Sequence, residues 1–284
     1  MTTTDLDRLL LIRHFERALL DLFAKGELNG TTHTCLGQEI VPVAVSGLLG
    51  PDDRVFSNHR GHGHYLARFD DPAGLLAEIM GREGAVCGGV GGSQHILRDG
   101  YVSTGVQGES LPVAAGAALH LRGSGALACA YIGDGTWGEG AVYESLNLAA
   151  LWGLPLLVVV EHNGIAQTTP TELAMSGDIA ARCAAFGVRH VALPADDVGA
   201  VRAVLEPLVS SVRTGSPLVV EFAVNRLGPH SKGDDTRSGV DELRDWYRDM
   251  SGDTGFAEAD ARAHDLVDSV VREVKARPAS RWDR

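Results

Sequence analysis

The sequence predicts an α/β protein built on a doubly wound, mainly parallel sheet with helices on both faces. Four short runs rich in valine and isoleucine are continuously apolar, as strands covered on both faces should be. Longer segments whose apolar residues recur at helical spacing alternate with these runs. This alternation is typical of parallel, doubly wound sheets. Because the sequence shows no internal repeat and no low-complexity linker, we expect one domain over residues 1–284, with a frayed tail at 276–284.

The predicted elements follow in chain order. The helical segments are roughly 4–25, 37–49, 72–80, 111–122, 139–152, 176–186, 197–214 and 255–275. The strands are near 127–132, 155–161, 189–193 and 217–223. Residues 81–110 hold nine glycines and should not form a regular element, and the polar segment 225–238 follows the last strand. We expect both segments to be active-site loops, with solvated surface loops as the alternative.

The charge balance argues against some classes of partner. The chain has 25 basic and 37 acidic residues, which gives a formal net charge of −12. This balance disfavours nucleic acid or an anionic membrane surface as the main partner. With 44% hydrophobic and 22% charged residues, the composition is ordinary for a soluble globular protein.

The expected compartment is the cytoplasm. The first helical segment is amphipathic rather than a signal peptide, because charged residues interrupt its apolar residues at helical spacing. No run approaches the roughly 18 apolar residues that a membrane span needs. The cysteines lie too far apart in the sequence for a CxxC pair, and we expect all of them to be reduced and mostly structural: Cys35, Cys87, Cys129 and Cys183.

Polar residues stand at the ends of two neighbouring predicted strands. Asp134 follows the strand near 127–132, and Asn163 follows the strand near 155–161. The carboxyl ends of parallel neighbours lie at one edge of the sheet, where ligands bind, so these two side chains should lie side by side. Carboxylate and amide oxygens suit Mg2+. The alternative is that Asp134 caps the following helix.

The same stretch carries a family resemblance. GDG, then a helix, a strand and HNG, resembles the signature of thiamine-diphosphate enzymes. The longer run GEGAVYESLNLAALWGLPLLVVVEHNGIAQTTP resembles the alpha subunit of the 2-oxo acid dehydrogenase decarboxylases, of the pyruvate, branched-chain and acetoin dehydrogenase type. The resemblance extends from about His33 to Arg237. It implies the thiamine-diphosphate-binding fold, in the form of its diphosphate-binding domain.

The resemblance implies roles for the residues around Asp134. Asp134, Asn163 and the backbone carbonyl of Ile165 would coordinate the Mg2+ that bridges the diphosphate of thiamine diphosphate. Gly133 and Gly135 would let the backbone and the diphosphate approach closely.

Four further motifs match the family: HTCLGQE at 33–39, SNHRGHGH at 57–64, GGVGGSQH at 88–95 and RLGPHS at 226–231. By this match, His62 is a pocket residue and Arg226 points toward the diphosphate. The implied catalytic residues are His33, His64 and His230. The further implied cofactor contacts are His59, Arg60, Gln107, Arg226 and His230. The alternative for each histidine is a hydrogen-bonded structural residue.

The family mechanism implies partners. Thiamine diphosphate accepts electrons as a 2-oxo acid loses carbon dioxide, and histidines near neutral pH suit the proton transfers. The glutamate that activates the cofactor lies on a separate beta subunit in this family, together with the pyrimidine-binding domain. We therefore expect an alpha2beta2 heterotetramer, a small 2-oxo acid substrate and possible docking of a lipoyl acyltransferase.

Three residues depart from the family pattern. His59 replaces a tyrosine, Gln107 replaces a branched aliphatic residue and Ser110 replaces a glutamine, so the expected pocket is more polar. A polar pocket leaves open an alternative function, an acyloin-forming carboligase that hands the acyl unit to an aldehyde or ketone. The amino-terminal half of a split transketolase and a non-catalytic scaffold subunit are further alternatives.

Overall fold

The computed structural model describes residues 4–28, 30–231, 237–252 and 255–281. They cluster into two compact units. The first unit comprises Met1–Ser46, Arg60–Arg98 and Asn225–Arg284, and the second comprises Gly47–His59 and Asp99–Val224. The single domain expected over 1–284 stays a prediction.

The predicted helices and strands occur in the predicted order, with further short elements between them. The α-helices are α1 (Asp5–Ala24), α2 (Ile40–Ser46), α3 (His62–Phe69), α4 (Pro72–Met80), α5 (Ser110–Leu121), α6 (Gly140–Trp152), α7 (Thr171–Ala174), α8 (Ile179–Ala185), α9 (Val198–Arg213), α10 (Trp246–Met250) and α11 (Phe256–Ala276). The 3-10 helices are η1 (Asp134–Gly138) and η2 (Val240–Glu242). The strands are β1 (Arg54–Ser57), β2 (Leu97–Arg98), β3 (Tyr101–Ser103), β4 (Ala128–Gly133), β5 (Leu156–His162), β6 (Ile165–Ala166), β7 (Thr169–Pro170), β8 (Arg189–Pro194) and β9 (Leu218–Ala223). Among the described residues, no helix is long and apolar enough to cross a membrane.

The second unit contains a parallel sheet. Its strands lie in the order β3-β1-β4-β5-β9-β8, and every neighbouring pair is parallel. The registers pair Gly133 with Glu161 between β4 and β5, and Glu161 with Phe222 between β5 and β9. The four predicted strands fall within one residue of β4, β5, β8 and β9, because each contains at least three consecutive apolar residues.

Helices cover both faces of this sheet. Alternate residues of β4 and β5, such as Ala130 and Val158, share one apolar core with α5, α6 and α8. α9 packs against β5 and β9 and presents a separate row of buried side chains, including Val201 and Leu205. Because successive residues of a strand point to opposite faces, α9 covers the face opposite to α5 and α6. This arrangement confirms the predicted doubly wound fold class.

The first unit is mainly helical. α1 begins at a capping box in which the Thr4 hydroxyl accepts from the backbone N–H of Asp7, and α1 packs against α3 and α11. Inside this unit, the buried Arg13 guanidinium donates to Glu39 at 2.6 Å and to both oxygens of Asp245 at 2.8 and 3.0 Å. Trp246 Nε1 also donates to Glu39, at 2.8 Å. The cluster joins α1, the chain before α2 and α10.

Two expectations need correction. Residues 81–110 are not loop throughout, because Tyr101–Ser103 forms β3 beside β1. Three residues are too few for apolar periodicity to reveal a strand, and the glycines on either side hide it further. The fraying expected in 276–284 does not extend to residues 278–280, because Pro278 O accepts from Glu83 N and Ser280 N donates to Gly81 O. Residues 282–284 lie outside the described part of the chain.

Candidate active site

Several residues with side-chain oxygen atoms lie close together in the second unit, where β4 and β5 end. Asp134 follows the last residue of β4 and opens η1, and Asn163 follows β5. The backbone N–H of Asn163 donates to Asp134 Oδ1 at 3.3 Å. The structure therefore brings the Asp134 carboxylate to the backbone of Asn163, and the sequence places both residues at neighbouring strand ends. We call Asp134, Asn163, Ile165 and Thr171 the strand-end cluster.

The carboxylate of Asp134 is buried and hydrogen-bonded on both oxygens. Its exposed fraction is 2%. The second oxygen accepts from the Thr171 hydroxyl, while the backbone N–H of Thr171 donates to Gly164 O at 3.0 Å. The side-chain oxygen of Asn163 accepts from the backbone N–H of Ile165 at 3.2 Å. Sequence reasoning missed Thr171, because no spacing rule connects this loop hydroxyl with the GDG motif.

The alternative role of Asp134 as a helix cap is wrong. α6 begins after Glu139, which occupies the N-cap position and makes no side-chain capping hydrogen bond. Asp134 instead lies at the start of η1, where its carboxylate contacts residues that follow β5. Its side chain thus joins two strand ends rather than closing one helix.

Gly135 and Gly164 allow the backbone segments of the strand-end cluster to lie close together. A Cβ atom on Gly135 would lie 2.5 Å from the Cβ of Ala166, so only glycine lets η1 approach β6 so closely. Gly164 has φ +78, in the left-handed region, and turns the chain between Asn163 and Ile165. A Cβ atom on Gly133 would meet no atom within 4 Å, so Gly133 is not required by packing among the described residues.

A carboxylate between two histidines lies beside the strand-end cluster. Glu221 on β9 contacts His162 Nδ1 at 2.5 Å and His190 Nε2 at 2.8 Å. The hydrogen bond to Glu221, together with the nearby carboxylate of Asp134, raises the pKa of His162 above its ordinary value against an opposing effect of burial. The hydrogen bond from His162 lowers the pKa of Glu221. Sequence reasoning missed Glu221 and His190 because they lie on strands whose other residues are mostly apolar.

Two of the three residues that depart from the family pattern, His59 and Gln107, lie in the second unit and contact each other. Gln107 Nε2 lies 2.7 Å from His59 Nδ1, and the Thr136 hydroxyl donates to Gln107 Oε1 at 3.0 Å. Ser110, the third departure, is the first residue of α5 and is buried. His59 and Gln107 therefore act as one hydrogen-bonded unit.

The first unit brings three other predicted residues together. Arg60 is buried and donates to Thr34 O at 2.7 Å and to His230 Nδ1 at 3.1 Å. The rings of His33 and His230 meet edge to face, with centroids 4.6 Å apart. Because arginine only donates, His230 Nδ1 is the acceptor, and its ring proton lies on Nε2. We call His33, Arg60 and His230 the histidine cluster.

The remaining predicted residues of the first unit are buried. His64 lies on α3 with an exposed fraction of 3%, and Arg226 has an exposed fraction of 1%. His62 is fully buried, with Nδ1 3.2 Å from the carboxylate of Glu16 and Nε2 2.9 Å from Ser93 Oγ. His62 therefore joins α1 to the glycine-rich segment.

A buried carboxylate organises the glycine-rich segment. Glu78 on α4 accepts from four backbone N–H groups at 2.7–3.3 Å, those of Cys87, Gly89, Gly91 and Gly92. Burial would raise the pKa of this carboxyl, but the backbone hydrogen bonds lower it below its ordinary value. Sequence reasoning missed Glu78, since a single glutamate in a short helix usually faces solvent.

No group of three or more His, Cys, Asp or Glu side chains that could hold a metal ion occurs in the described part of the chain. The predicted magnesium ligands would not form such a group, because only Asp134 belongs to these residue types. The other two donors are the amide of Asn163 and the backbone carbonyl of Ile165.

Comparison with known proteins gives consistent matches. The sequence model of the family described as Dehydrogenase E1 component matches residues 7–250. The alpha subunit of acetoin:2,6-dichlorophenolindophenol oxidoreductase from Cupriavidus necator is 34% identical over 283 residues, covering 93% of this chain and 83% of that one. The subunit of the same name from Bacillus subtilis is 36% identical over 279 residues, covering 94% and 84%. The pyruvate dehydrogenase E1 component subunit alpha from Rhizobium meliloti is 33% identical over 285 residues, covering 94% and 81%.

Proposed function

Because the chain belongs to the dehydrogenase E1 component family, we propose that it is the alpha subunit of a two-component enzyme that decarboxylates a 2-oxo acid and transfers the acyl unit, with thiamine diphosphate and Mg2+. Family membership confirms the predicted resemblance and implies thiamine diphosphate as the cofactor. The observation that carries the proposal is the meeting of Asp134 and Asn163 at the carboxyl ends of neighbouring parallel strands. The names of the relatives from Cupriavidus necator, Bacillus subtilis and Rhizobium meliloti are those of oxidoreductase and dehydrogenase subunits, and none of these names favours a carboligase, a transketolase or a scaffold.

The strand-end cluster fits a small hard cation. Each oxygen of the Asp134 carboxylate accepts one hydrogen bond, from Asn163 N or from the Thr171 hydroxyl, and keeps lone-pair capacity for a metal. Asn163 Oδ1 likewise accepts one hydrogen bond, from Ile165 N. One carboxylate and two neutral oxygens leave room for the phosphate oxygens and water that Mg2+ prefers. Asp134, Asn163 and the carbonyl of Ile165 are therefore the ligands that we assign to Mg2+.

The histidine cluster supplies the proton chemistry in this proposal. When bound, thiamine diphosphate supplies the electron sink for loss of carbon dioxide. His230 keeps a proton on Nε2 because Arg60 donates to its Nδ1, so His230 can donate to the substrate. His33 contacts the His230 ring, and we assign His33, His64 and His230 to binding the 2-oxo acid and moving protons. Arg60 and Arg226 are assigned to the negative charge of the cofactor.

The alpha-subunit names of the relatives imply a beta subunit as partner. We propose that this partner carries the pyrimidine-binding domain and the activating glutamate, and that the two chains form an alpha2beta2 heterotetramer. A lipoyl acyltransferase is the proposed recipient of the acyl unit. The chain purified alone should therefore show no turnover of a 2-oxo acid.

The test is a calorimetric titration of the complex of this chain with its beta subunit. Thiamine diphosphate is added at saturating Mg2+ to the wild type, to Asp134→Asn and to Asp265→Asn, a control at a side chain 86% exposed on α11. We expect Asp134→Asn to weaken binding at least about 100-fold, because a hard cation loses its charged ligand. The control should bind as the wild type does.

Two results would contradict the proposal. Failure of the wild-type complex to bind thiamine diphosphate would remove the enzymatic function. Equal, magnesium-dependent binding by the wild type and Asp134→Asn would remove Asp134 from the metal site while leaving the cofactor assignment intact.

A further inference from the structure

The parallel sheet of the second unit has a topological switch point between β1 and β4. From β1 the chain passes to β3 on one side, and it then returns to β4 on the other side of β1. In open α/β sheets, ligands bind outside the carboxyl ends of the strands at such a point. Residues that follow β1, β3 and β4 are therefore placed for ligand recognition by the topology alone.

One hydrogen-bonded chain joins these three strand ends. His59 follows β1, Gln107 follows β3 and Thr136 lies on η1 after β4. The Thr136 hydroxyl, on a residue with an exposed fraction of 2%, donates to Gln107 Oε1 at 3.0 Å. With its oxygen so engaged, the amide of Gln107 directs its NH2 group to His59 Nδ1, at 2.7 Å.

Two local contacts shape the backbone on either side of Gln107. The Thr104 hydroxyl accepts from Val106 N at 3.2 Å, which forms a local turn just before Gln107. Just after it, Gly108 has φ +84, and a Cβ atom there would lie 3.2 Å from the Cβ of Glu139. The loop thus packs on the start of α6 with the side chain of Gln107 held between Thr136 and His59.

We propose that Thr136 is a positioning residue that, through Gln107, holds His59 as a neutral imidazole with its proton on Nε2. A nitrogen that accepts from an amide N–H carries no proton, so the other ring nitrogen does. His59 then donates, rather than accepts, a hydrogen bond to an acceptor oxygen of the ligand. This inference rests on the proposed function for the identity of that ligand, the 2-oxo acid or its cofactor.

The direct test is NMR of the full-length chain labelled with 15N-histidine, with His59→Asn used to assign the His59 signals. We expect His59 Nδ1 to be unprotonated and Nε2 to be protonated in the wild type. Thr136→Val removes the hydroxyl and frees the amide to turn, so the His59 tautomers should mix. Thr136→Ser keeps a hydroxyl and should restore the wild-type tautomer. Gln107→Glu offers only acceptors and should move a proton onto Nδ1.

The activity of the complex with the beta subunit gives a second measurement. We expect Thr136→Val to lower kcat/KM for pyruvate about fivefold, as loss of one neutral hydrogen bond does, and Thr136→Ser to recover it. Thr214→Val, at an exposed residue after α9, is the matched control and should change nothing. A protonated Nδ1 in the wild type, or one tautomer unchanged across Thr136→Val and Gln107→Glu, would overturn the inference.

These outcomes are separable from failure of the proposed function. If the wild-type complex binds no thiamine diphosphate, the proposed function fails, yet the tautomer of His59 in the full chain still decides the positioning role. If the complex binds the cofactor and turns over pyruvate while Thr136→Val matches the wild type in tautomer and kcat/KM, only the positioning role fails.

Discussion

Glu78 illustrates how one side chain can organise a segment that carries no regular structure. Its carboxylate gathers four backbone N–H groups of residues 87–92, which otherwise would need water or other acceptors. The same side chain is fully buried on α4. A buried charge is tolerated here because charge-assisted hydrogen bonds to the backbone offset the loss of solvation.

We expect Glu78→Gln to lower the free energy of unfolding by about 2 kcal/mol at neutral pH. The side-chain NH2 group of glutamine is a donor, and it would face backbone N–H groups that are also donors. Urea denaturation of the wild type, Glu78→Gln and the exposed control Glu206→Gln measures this. The control should unfold as the wild type does. Equal stability of all three proteins would show that the carboxylate does not organise the segment.

The difference in the free energy of unfolding between the wild type and Glu78→Gln should decrease at low pH. The pKa of Glu78 is lower in the folded state than its ordinary value, so its stabilisation is fully present above about pH 4.3. It is lost as the pH falls through the lowered folded-state pKa, because the unfolded chain then binds the proton first. The gap between the wild type and Glu78→Gln should therefore shrink on acidification. A gap that widens below pH 4 would contradict this assignment.

At the scale of elements, glycines decide how closely loops approach one another. Gly37 has φ +90, and a Cβ atom there would lie 2.2 Å from Asn225 O and 2.7 Å from Leu227 Cγ. The backbone N–H of Leu227 donates to Leu36 O at 3.0 Å. The segment that carries His33 and the segment that carries His230 thus meet at Gly37.

We expect Gly37→Ala to destabilise the chain by about 2 kcal/mol more than Gly26→Ala. Both positions have positive φ, so both variants share the backbone strain of about 1 kcal/mol, but Gly26 has no atom within 4 Å of an added Cβ. Thermal or urea unfolding of both variants measures the difference. Similar unfolding midpoints for the two variants would show that the loops separate at little energetic cost.

The elements that the sequence predicts well are those with long, consistent patterns. β4, β5, β8 and β9 each contain a run of at least three consecutive apolar residues, and α9 and α11 repeat their buried residues at helical spacing. The sequence does not predict β1 and α3, because a strand of four residues and a short helix that contains histidine and glycine give no clear period. Short elements depend on tertiary contacts that local sequence does not encode.

Site residues that stand in recognisable motifs can be predicted from the sequence, whereas those joined only by tertiary contacts cannot. Asp134 and Asn163 could be paired from the sequence because βαβ topology brings consecutive strand ends to one edge. Thr171, Glu221 and Thr136 could not be, because each reaches its partner across loops or strands whose separation has no fixed rule. The predicted roles of His33, His64, Arg226 and His230 stay proposals.

At the scale of the whole molecule, predicted site residues occur in both compact units. The strand-end cluster and the Thr136–Gln107–His59 chain belong to the second unit, and the histidine cluster belongs to the first. The family match spans residues 7–250 and so includes residues of both units. The relatives' names place such chains as alpha subunits, which is why the decisive measurement must be made on the complex rather than on the chain alone.

That measurement is a crystal structure of the complex with its beta subunit, grown with thiamine diphosphate and with Mn2+ in place of Mg2+. The anomalous signal of manganese locates the metal independently of the surrounding density. We predict one manganese peak bonded to Asp134, Asn163 and the carbonyl of Ile165, and to the diphosphate. Manganese bound to the diphosphate but not to these oxygens, or thiamine diphosphate bound away from the strand-end cluster, would contradict the assigned site.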